Sequence, residues 1–324
     1  MKKICLVMYV FGNTYQDYIP LFLLSLFRVY PDYGVRIYLD RRLSENVLKN
    51  MNMFSRYDVT IIENYDDGLN ISEKARKNEQ ISKCIRWLVY DKAFEEYQAI
   101  YIGDIDILFF SEKNSMFEEH WRHCEFLKKP YSNICRVHKP NKSFKLRLVA
   151  RNFLKFGITQ SVKFYVSKEK TIKKLSGLHF MKTKEYFPKM LTIREKFVDE
   201  LNFLSEGKSK RYNLCSFNNE SMLYDLMLDC GFGDIEESEL GYNISDCGEQ
   251  LSYRPHHGIH LGIFRQSGVM KNEAPVINSQ AYKDFYKQFS ELEETSEYQH
   301  IQADFSDYMQ EIINNMKKYY ETNL

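Results

Sequence analysis

Tyr101-Ile102-Gly103-Asp104-Ile105-Asp106-Ile107-Leu108-Phe109-Phe110 is an apolar, β-branched and aromatic run broken by one glycine and two carboxylates. Read as one extended strand, it projects Asp104 and Asp106 to the same side, because residues i and i+2 share a face. Apolar residues on both flanks imply a strand inside the protein, where unpaired carboxylates are costly. A hard divalent cation offsets that cost, since Mg²⁺ and Mn²⁺ favour carboxylate oxygens and keep positions open for phosphate oxygens. The plainer alternative is an Asp capping the turn at a strand end, with its neighbour solvated.

The segments upstream of this run give it a context. Ile4 to Val10 is a buried strand, and Phe11 to Asp17 is a polar loop. Pro20 suits the first turn of a helix that continues through Phe27. Val35 to Leu39 is a second strand, Ser44 to Met53 a helix with Ser44 as N-cap, and Val59 to Ile62 a third strand. Glu79 to Tyr97 is expected to be helical and to deliver the acidic run. Strand, helix, strand, helix, strand is the α/β pattern of a mostly parallel sheet. Ligands of such sheets bind beyond the carboxyl ends of the strands, where Tyr9 to Asn13, Asp40 and the two aspartates would gather. No GxGxxG or Walker-type loop occurs, which disfavours a dinucleotide site or a P-loop ATPase.

At 324 residues the chain can bury a sizeable core, and with 44% hydrophobic residues it reads as a folded globule. Its seven cysteines are scattered, odd in number and never in CxxC, which suits buried thiols in a reducing cytosol better than a disulfide frame or zinc site. The apolar start after Lys2-Lys3 is too short for a secretory signal and lacks a cleavage site. No run approaches the roughly 20 apolar residues of a membrane span. The protein is therefore expected in the cytoplasm, soluble or peripheral on the membrane face.

Net charge is only +1, but its distribution is uneven: residues 136–174 hold twelve Lys and Arg against one acid, Glu169. Aromatic and aliphatic residues alternate with these cations, as on a basic amphipathic element. Such a stretch can lie on an anionic membrane surface or hold phosphate-rich ligands; it can equally be a solvated helix packed by its apolar side. Nucleic acid is not an expected partner, because no nucleic-acid module accompanies the charge. Residues 281–320 look helical and amphipathic, a C-terminal packing element or partner contact.

Several segments, taken in order, resemble the GT-A nucleotide-sugar glycosyltransferases, most nearly glycosyltransferase family 8 and its bacterial polysaccharide relatives. Arg86-Trp87-Leu88-Val89-Tyr90-Asp91-Lys92-Ala93-Phe94 followed by the acidic run is similar to the family's approach to its DxD strand. Ser176-Gly177-Leu178-His179-Phe180-Met181 resembles the segment lining the donor-sugar pocket. Asn218-Asn219-Glu220-Ser221 resembles the family's acidic or amide pair, and Arg254-Pro255-His256-His257-Gly258-Ile259-His260-Leu261-Gly262 its closing metal-binding element. The likeness spans roughly residues 1–265.

That resemblance implies a GT-A catalytic domain over 1–268, interrupted by the basic insertion 136–174, with a helical C-terminal extension over 269–324. It implies Asp106 and His260 as metal ligands, Asp104 as ligand or ribose contact, and Mn²⁺ ahead of Mg²⁺ because imidazole suits it. The metal would neutralise the departing diphosphate. The donor is expected to be a UDP-sugar, bound through Tyr9, Asn13, Arg86, Asp104, Ser176, Gly177, His257 and Arg265. Glu220 is the candidate catalytic carboxylate. The acceptor is expected to be a surface glycan of capsule or lipopolysaccharide type, lipid-linked where the basic insertion meets the membrane, with retention of configuration.

Alternatives stand beside these assignments. Arg86 can be a surface ion-pair residue, Tyr9 plain core, His179 a pocket wall, and Glu220 an acid stabilising a helix N-terminus. His256, His257 and His260 invite a zinc reading, for which Cys247 is the only nearby partner in sequence. The chain also departs from the family: Gly262-Ile263-Phe264-Arg265 stands in place of a Lys-Pro-Trp-like ending, leaving Arg265 to replace the phosphate-binding lysine. Two rival functions remain, a sugar nucleotidyltransferase and a non-catalytic membrane-associated binding protein. The first normally wants a Gly-rich phosphate loop, and the second leaves the acidic pair unexplained.

Overall fold

The computed structural model describes residues 1–138, 172–214, 216–235, 257–265 and 277–323. Residues 139–171 of the basic stretch 136–174, Cys247 and the segment 254–256 lie outside the described residues.

The amino-terminal half lays down strands β1 (Lys2–Val10), β2 (Gly34–Leu39), β3 (Val59–Ile62) and β4 (Tyr97–Gly103). All four are parallel, in spatial order β3-β2-β1-β4. Two later strands complete the six-stranded sheet. The short β6 (Tyr131–Ser132) and β9 (His179–Lys182) pair antiparallel, and β9 runs antiparallel to β4. A two-stranded ribbon, β5 (Ile107–Phe109) with β10 (Gly258–His260), and a hairpin, β7 (Cys135–His138) with β8 (Ile172–Leu175), stand apart from it. This is the mostly parallel, helix-flanked α/β sheet expected from the sequence.

Both faces of the sheet are covered, which is why its strands read as continuous apolar runs. Ile4, Leu6, Met8 and Val10 of β1 enter one hydrophobic cluster, and Cys5 and Val7 enter the other. The helix Ile19–Val29, with Pro20 in its first turn, covers the first face. The C-terminal helices Gln280–Glu293, Ser296–Gln302 and Asp307–Asn323 bury Tyr282, Phe289, Ile301, Ile312 and Met316 in the same cluster. The long helix Thr183–Ser205 and the helix Asn219–Asp229 close the second face. The five described cysteines are buried and unpaired.

Three sequence expectations are corrected. Glu79 to Tyr97 is not one helix: a single turn, Glu79–Ser82, is followed by tight 3₁₀ turns at Ile85–Trp87 and Lys92–Glu96. Trp87, Leu88 and Val89 are buried in succession, a pattern that one helix face cannot deliver. The Asn78 and Asp91 side chains each accept backbone N–H bonds that restart the chain. Phe11 to Asp17 is not all loop, since Asn13–Gln16 forms a helical turn.

The third correction concerns the decisive run itself. It is two strands rather than one, for β4 ends at Gly103 and β5 begins at Ile107. Asp104, Ile105 and Asp106 form the turn that carries the chain out of the main sheet. Strand alternation is therefore not what aligns the two carboxylates. The turn sits at the carboxyl end of β4, and both side chains open onto the same cleft.

Candidate active site

The cleft encloses about 680 Å³ at the carboxyl ends of the parallel strands. Its wall includes Tyr9, Phe11, Tyr15, Lys83, Arg86, Asp104, Asp106, Asn218, Asn219, Glu220, His260 and Arg265. Residues from five separate stretches of sequence thus meet in one place, which is where a sheet of this kind binds its ligands.

Asp106 is held from the side by the β5–β10 ribbon. His260 pairs with Ile107, and the Leu261 N–H donates to the Asp106 carbonyl at 2.8 Å. This brings His260 Nε2 to 3.3 Å from Asp106 Oδ2, while Arg265 Nη2 donates to the same oxygen at 2.5 Å. The ribbon needs Gly258, because a Cβ there would lie 1.7 Å from the Leu108 carbonyl oxygen. It is anchored from behind: Tyr282 Oη accepts from the His260 N–H, and Asn315 donates to the Phe264 carbonyl.

Burial by itself would push the Asp106 carboxyl up; the His260 ring and the Arg265 guanidinium outweigh it and pull the group down, to about 2. Burial likewise opposes charge on His260, and the Asp106 carboxylate overrides it, raising the imidazole above its ordinary value. Asp104 is more open, with its side chain 37% exposed, and takes a 2.7 Å hydrogen bond from Arg86 Nη1. The Arg86 guanidinium stacks over Trp87 at 4.2 Å, and Arg265 over Tyr15 at 5.1 Å.

Two glycines make room. A Cβ on Gly177 would stand 2.9 Å from Arg86 Nη2 and 3.9 Å from Asp104 Oδ2. A Cβ on Gly262 would stand 2.6 Å from Asp106 Oδ2 and 2.9 Å from His260 Nε2. The backbone at Gly262 therefore clears the space directly against the carboxylate and the imidazole.

That space suits a divalent cation in part. Among the described residues, no three His, Cys, Asp or Glu side chains converge closely enough to hold a metal ion by themselves. Asp106 and His260 supply one oxygen and one nitrogen donor side by side, with Asp104 on the same wall. Cations at phosphate sites commonly take one or two carboxylates from the protein and complete their shell with phosphate oxygens and water. The donor set fits that kind of shared site and not a closed structural one.

Other residues singled out in the sequence lie elsewhere. Tyr9 lines the cleft with its ring stacked on Tyr38 at 5.1 Å, whereas Asn13 is exposed on its helical turn and is not part of the wall. Ser176 is buried behind Gly177: its hydroxyl accepts from the Leu178 N–H, and its carbonyl accepts from Asn133. His257 turns away from the cleft, 2.5 Å from Glu112 through Nδ1 and 3.0 Å from His120 through Nε2. His179 is fully buried, beside Asn133 and between Trp87, Tyr131 and Tyr186. Glu220 occupies the first turn of its helix, behind the Asn218 cap, and faces the cleft.

Phe11, Tyr15, Gln80 and Lys83 also line the cleft, and the sequence reading did not single them out. Lys83 ends one helical turn and Arg86 lies in the next, tighter one, so their three-residue spacing alone would not have placed both on the cleft. Phe11 and Tyr15 are exposed large aromatics next to the first strand's end, a signal visible once that strand's direction is fixed.

No protein-family profile matches the chain, and no curated protein matches it in sequence. Glycosyltransferases are among the solved structures that resemble it. Core-mannan synthase A from Aspergillus fumigatus, in a Mn/GDP form, aligns over 70% of each chain at 13% identity and a TM-score of 0.41. The glycosyltransferase GlyE of Streptococcus pneumoniae aligns over 90% of this chain and 64% of its own, at 13% identity and a TM-score of 0.42. The galactosyltransferase LgtC aligns over 70% of each chain at 11% identity and a TM-score of 0.32. This chain thus spans less than two thirds of the GlyE chain's length. At such identities the cleft's own chemistry has to carry the functional reading.

Proposed function

We propose that the chain is a cation-dependent glycosyltransferase that takes a sugar from a nucleotide-sugar donor, with a UDP-sugar as first choice. The observation that carries this reading is the meeting of Asp104, Asp106, His260, Arg86, Arg265 and Glu220 on one cleft at the carboxyl end of the sheet. Such a combination of hard anionic donors and guanidiniums suits a diphosphate bound through a metal. Asp106 and His260 would hold Mn²⁺ or Mg²⁺, with Asp104 as third ligand or ribose contact. When bound, the cation supplies Lewis-acid stabilisation of the leaving diphosphate.

Arg86, Arg265, Tyr9 and Glu220 take their proposed roles from the cleft's chemistry, whereas the catalytic bounds, acceptor and stereochemistry rest on the family resemblance. Arg86 and Arg265 orient phosphate oxygens, the guanidinium fork being matched to them. Tyr9 and the exposed Phe11, whose rings stack at 6.5 Å, offer aromatic surface for the nucleobase. Glu220 is the carboxylate available to donor-sugar hydroxyls or to the reacting carbon. Residues 1–268 form the catalytic unit on this reading, and 269–324 its helical extension. The acceptor is a surface glycan, lipid-linked where the basic stretch 136–174 meets the membrane, and the anomeric configuration is retained. No helix among the described residues is long and apolar enough to cross a membrane, which is compatible with work at the cytoplasmic face.

The test is a panel of nucleotide sugars incubated with Mn²⁺ and assayed for nucleoside diphosphate release. Release is expected from the wild-type chain and lost in Asp106→Ala with an unchanged circular dichroism spectrum. Turnover that persists in excess chelator would overturn cation dependence. Formation of nucleoside triphosphate and sugar 1-phosphate when pyrophosphate is added, with no release of nucleoside diphosphate, would overturn glycosyl transfer.

A further inference from the structure

Both guanidiniums in the cleft are engaged with aspartates. Arg86 donates through Nη1 to Asp104, and Arg265 through Nη2 to Asp106. In each side chain the Nε–H is buried and makes no hydrogen bond among the described residues, although the Tyr18 hydroxyl stands beside the Arg265 guanidinium. A buried donor left unpaired is unfavourable, and an arginine fork readily serves a second anion such as phosphate. The two arginines therefore retain donor capacity on the side of a cleft already suited to a diphosphate.

Arg265 stands in a more exposed conflict. Its acceptor, Asp106 Oδ2, is the same oxygen that lies 3.3 Å from His260 Nε2. A cation bridging that oxygen and the imidazole would meet a guanidinium on the oxygen it needs, and like charges on one acceptor repel. The face of the guanidinium rests on the Tyr15 ring at 5.1 Å. Such support through the face leaves the edge donors free to change acceptor.

We infer that Arg265 is an exchangeable counter-charge: it neutralises Asp106 in the resting protein, and it moves to a phosphate oxygen when a cation takes Asp106 together with His260. The inference rests on the donor reading above. The cation displaces the guanidinium, and the diphosphate gives the guanidinium a new anion, so each ligand favours the other. By linkage the gain is mutual: the cation tightens nucleotide binding by the same factor as the nucleotide tightens cation binding. Arg265 also has an opposite effect on the cation alone, which it opposes by occupying its ligand. A residue that merely held the loop in place would weaken both affinities when removed.

The experiment measures Mn²⁺ binding by the electron paramagnetic resonance of the free ion, without nucleotide and with saturating UDP or GDP. In the wild-type chain, nucleotide should tighten Mn²⁺ by about tenfold or more, within the usual range for coupled sites. In Arg265→Gln, Mn²⁺ alone should bind about tenfold tighter than in wild type, while the nucleotide-dependent gain falls to the smaller part that phosphate oxygens on the cation supply by themselves. Unchanged or weaker Mn²⁺ binding by Arg265→Gln, with wild-type coupling intact, overturns the exchange and leaves the donor reading standing. Failure of the wild-type chain to bind either nucleotide, with or without Mn²⁺, overturns both. A measurement on the unmutated chain guards against an unfolded variant: the Arg265 Nε–H resonance, followed by NMR with Mg²⁺, should shift only when Mg²⁺ and UDP are both present. A shift of the same size with UDP alone overturns the exchange.

Discussion

Gly262→Ala separates the cleft's chemistry from its fold more sharply than removal of any charged group. A Cβ at this position would lie 2.6 Å from Asp106 Oδ2 and 2.9 Å from His260 Nε2. Favourable carbon–oxygen approaches are about 3.3 Å or longer, so the carboxylate oxygen must retreat by about 0.7 Å. Asp106 has little freedom to do so, since its side chain is 5% exposed and is tied to Arg265. The new methyl also fills the space that the two donors share. Displacements near 1 Å can cost about 100-fold in turnover, so Gly262→Ala should lose about 10- to 100-fold in kcat/KM for donor breakdown, with a comparable loss of Mn²⁺ affinity.

The fold should tolerate the change. Gly262 lies in a 3₁₀ turn, and a non-glycine residue there gains about 0.5–1 kcal/mol in chain entropy, which partly offsets a crowding cost of about 1–3 kcal/mol. The expected shift in Tm is only a few degrees. Gly258→Ala provides the contrast, because its Cβ would strike the backbone oxygen of Leu108 at 1.7 Å. That variant should fail to pair the ribbon and should aggregate or unfold. Thermal melts and Mn²⁺ titrations on both proteins check the pair of outcomes. Wild-type turnover and cation affinity in Gly262→Ala would refute the placement of the cation between Asp106 and His260.

Further outcomes follow from groups behind the cleft. Glu112→Ala removes the acceptor at 2.5 Å from His257 Nδ1, in a residue held at a left-handed φ of 62°; loss of a buried charge-assisted bond should lower stability by about 1.5–3 kcal/mol in urea unfolding, and an unchanged midpoint would show the contact to be idle. His123 and His179 are buried, and desolvation lowers them from 6.5 to about 4 and about 3. The unfolded chain therefore binds more protons than the native one below pH 6.5, so stability should fall as pH drops from about 6.5 towards 4. His179→Gln should flatten the plot of Tm against pH over that window, and an unaltered slope would count against it.

The sheet was legible because it is buried on both sides. Ile4 to Val10, Val35 to Leu39 and Val59 to Ile62 are apolar runs of strand length, punctuated by Pro20 and by Pro31 to Gly34, and each is a strand in the structure. The segment after Glu79 departs from the expected helix. Its apolar residues are as dense as in a helix, but Ile85, Trp87, Leu88 and Val89 are all buried in the second cluster, and no single helix face could bury them together. The acidic run illustrates a subtler failure. Its composition is strand-like throughout, and nothing local reveals that Ile107 to Phe109 pair with Gly258 to His260, some 150 residues later. Pairing partners at that separation are chosen by tertiary packing, which outweighs local propensity. Asp104 and Asp106 share the cleft by a turn at a strand end instead of by alternation along a strand, whereas Asn13 and Asp40, expected beside them, do not line it.

The same long-range pairing explains why the histidines divided as they did. In a five-residue window, His257 and His260 look like alternative ligands. The antiparallel ribbon sets His260 against Ile107, next to Asp106, while at His257 the backbone is left-handed and the side chain bonds to Glu112 and His120. One side chain is thus an anchor and the other faces the cleft. Residues 257–265 behave as a single unit: His257 fixes its start, Gly258 permits close pairing, His260 and Gly262 shape the space beside Asp106, and Arg265 closes on the carboxylate. Tyr282 and Asn315 brace that unit from the C-terminal helices. The helices after residue 277 are therefore part of what holds the cleft's geometry, and an alteration in their packing is felt first at the oxygen that His260 and Arg265 share.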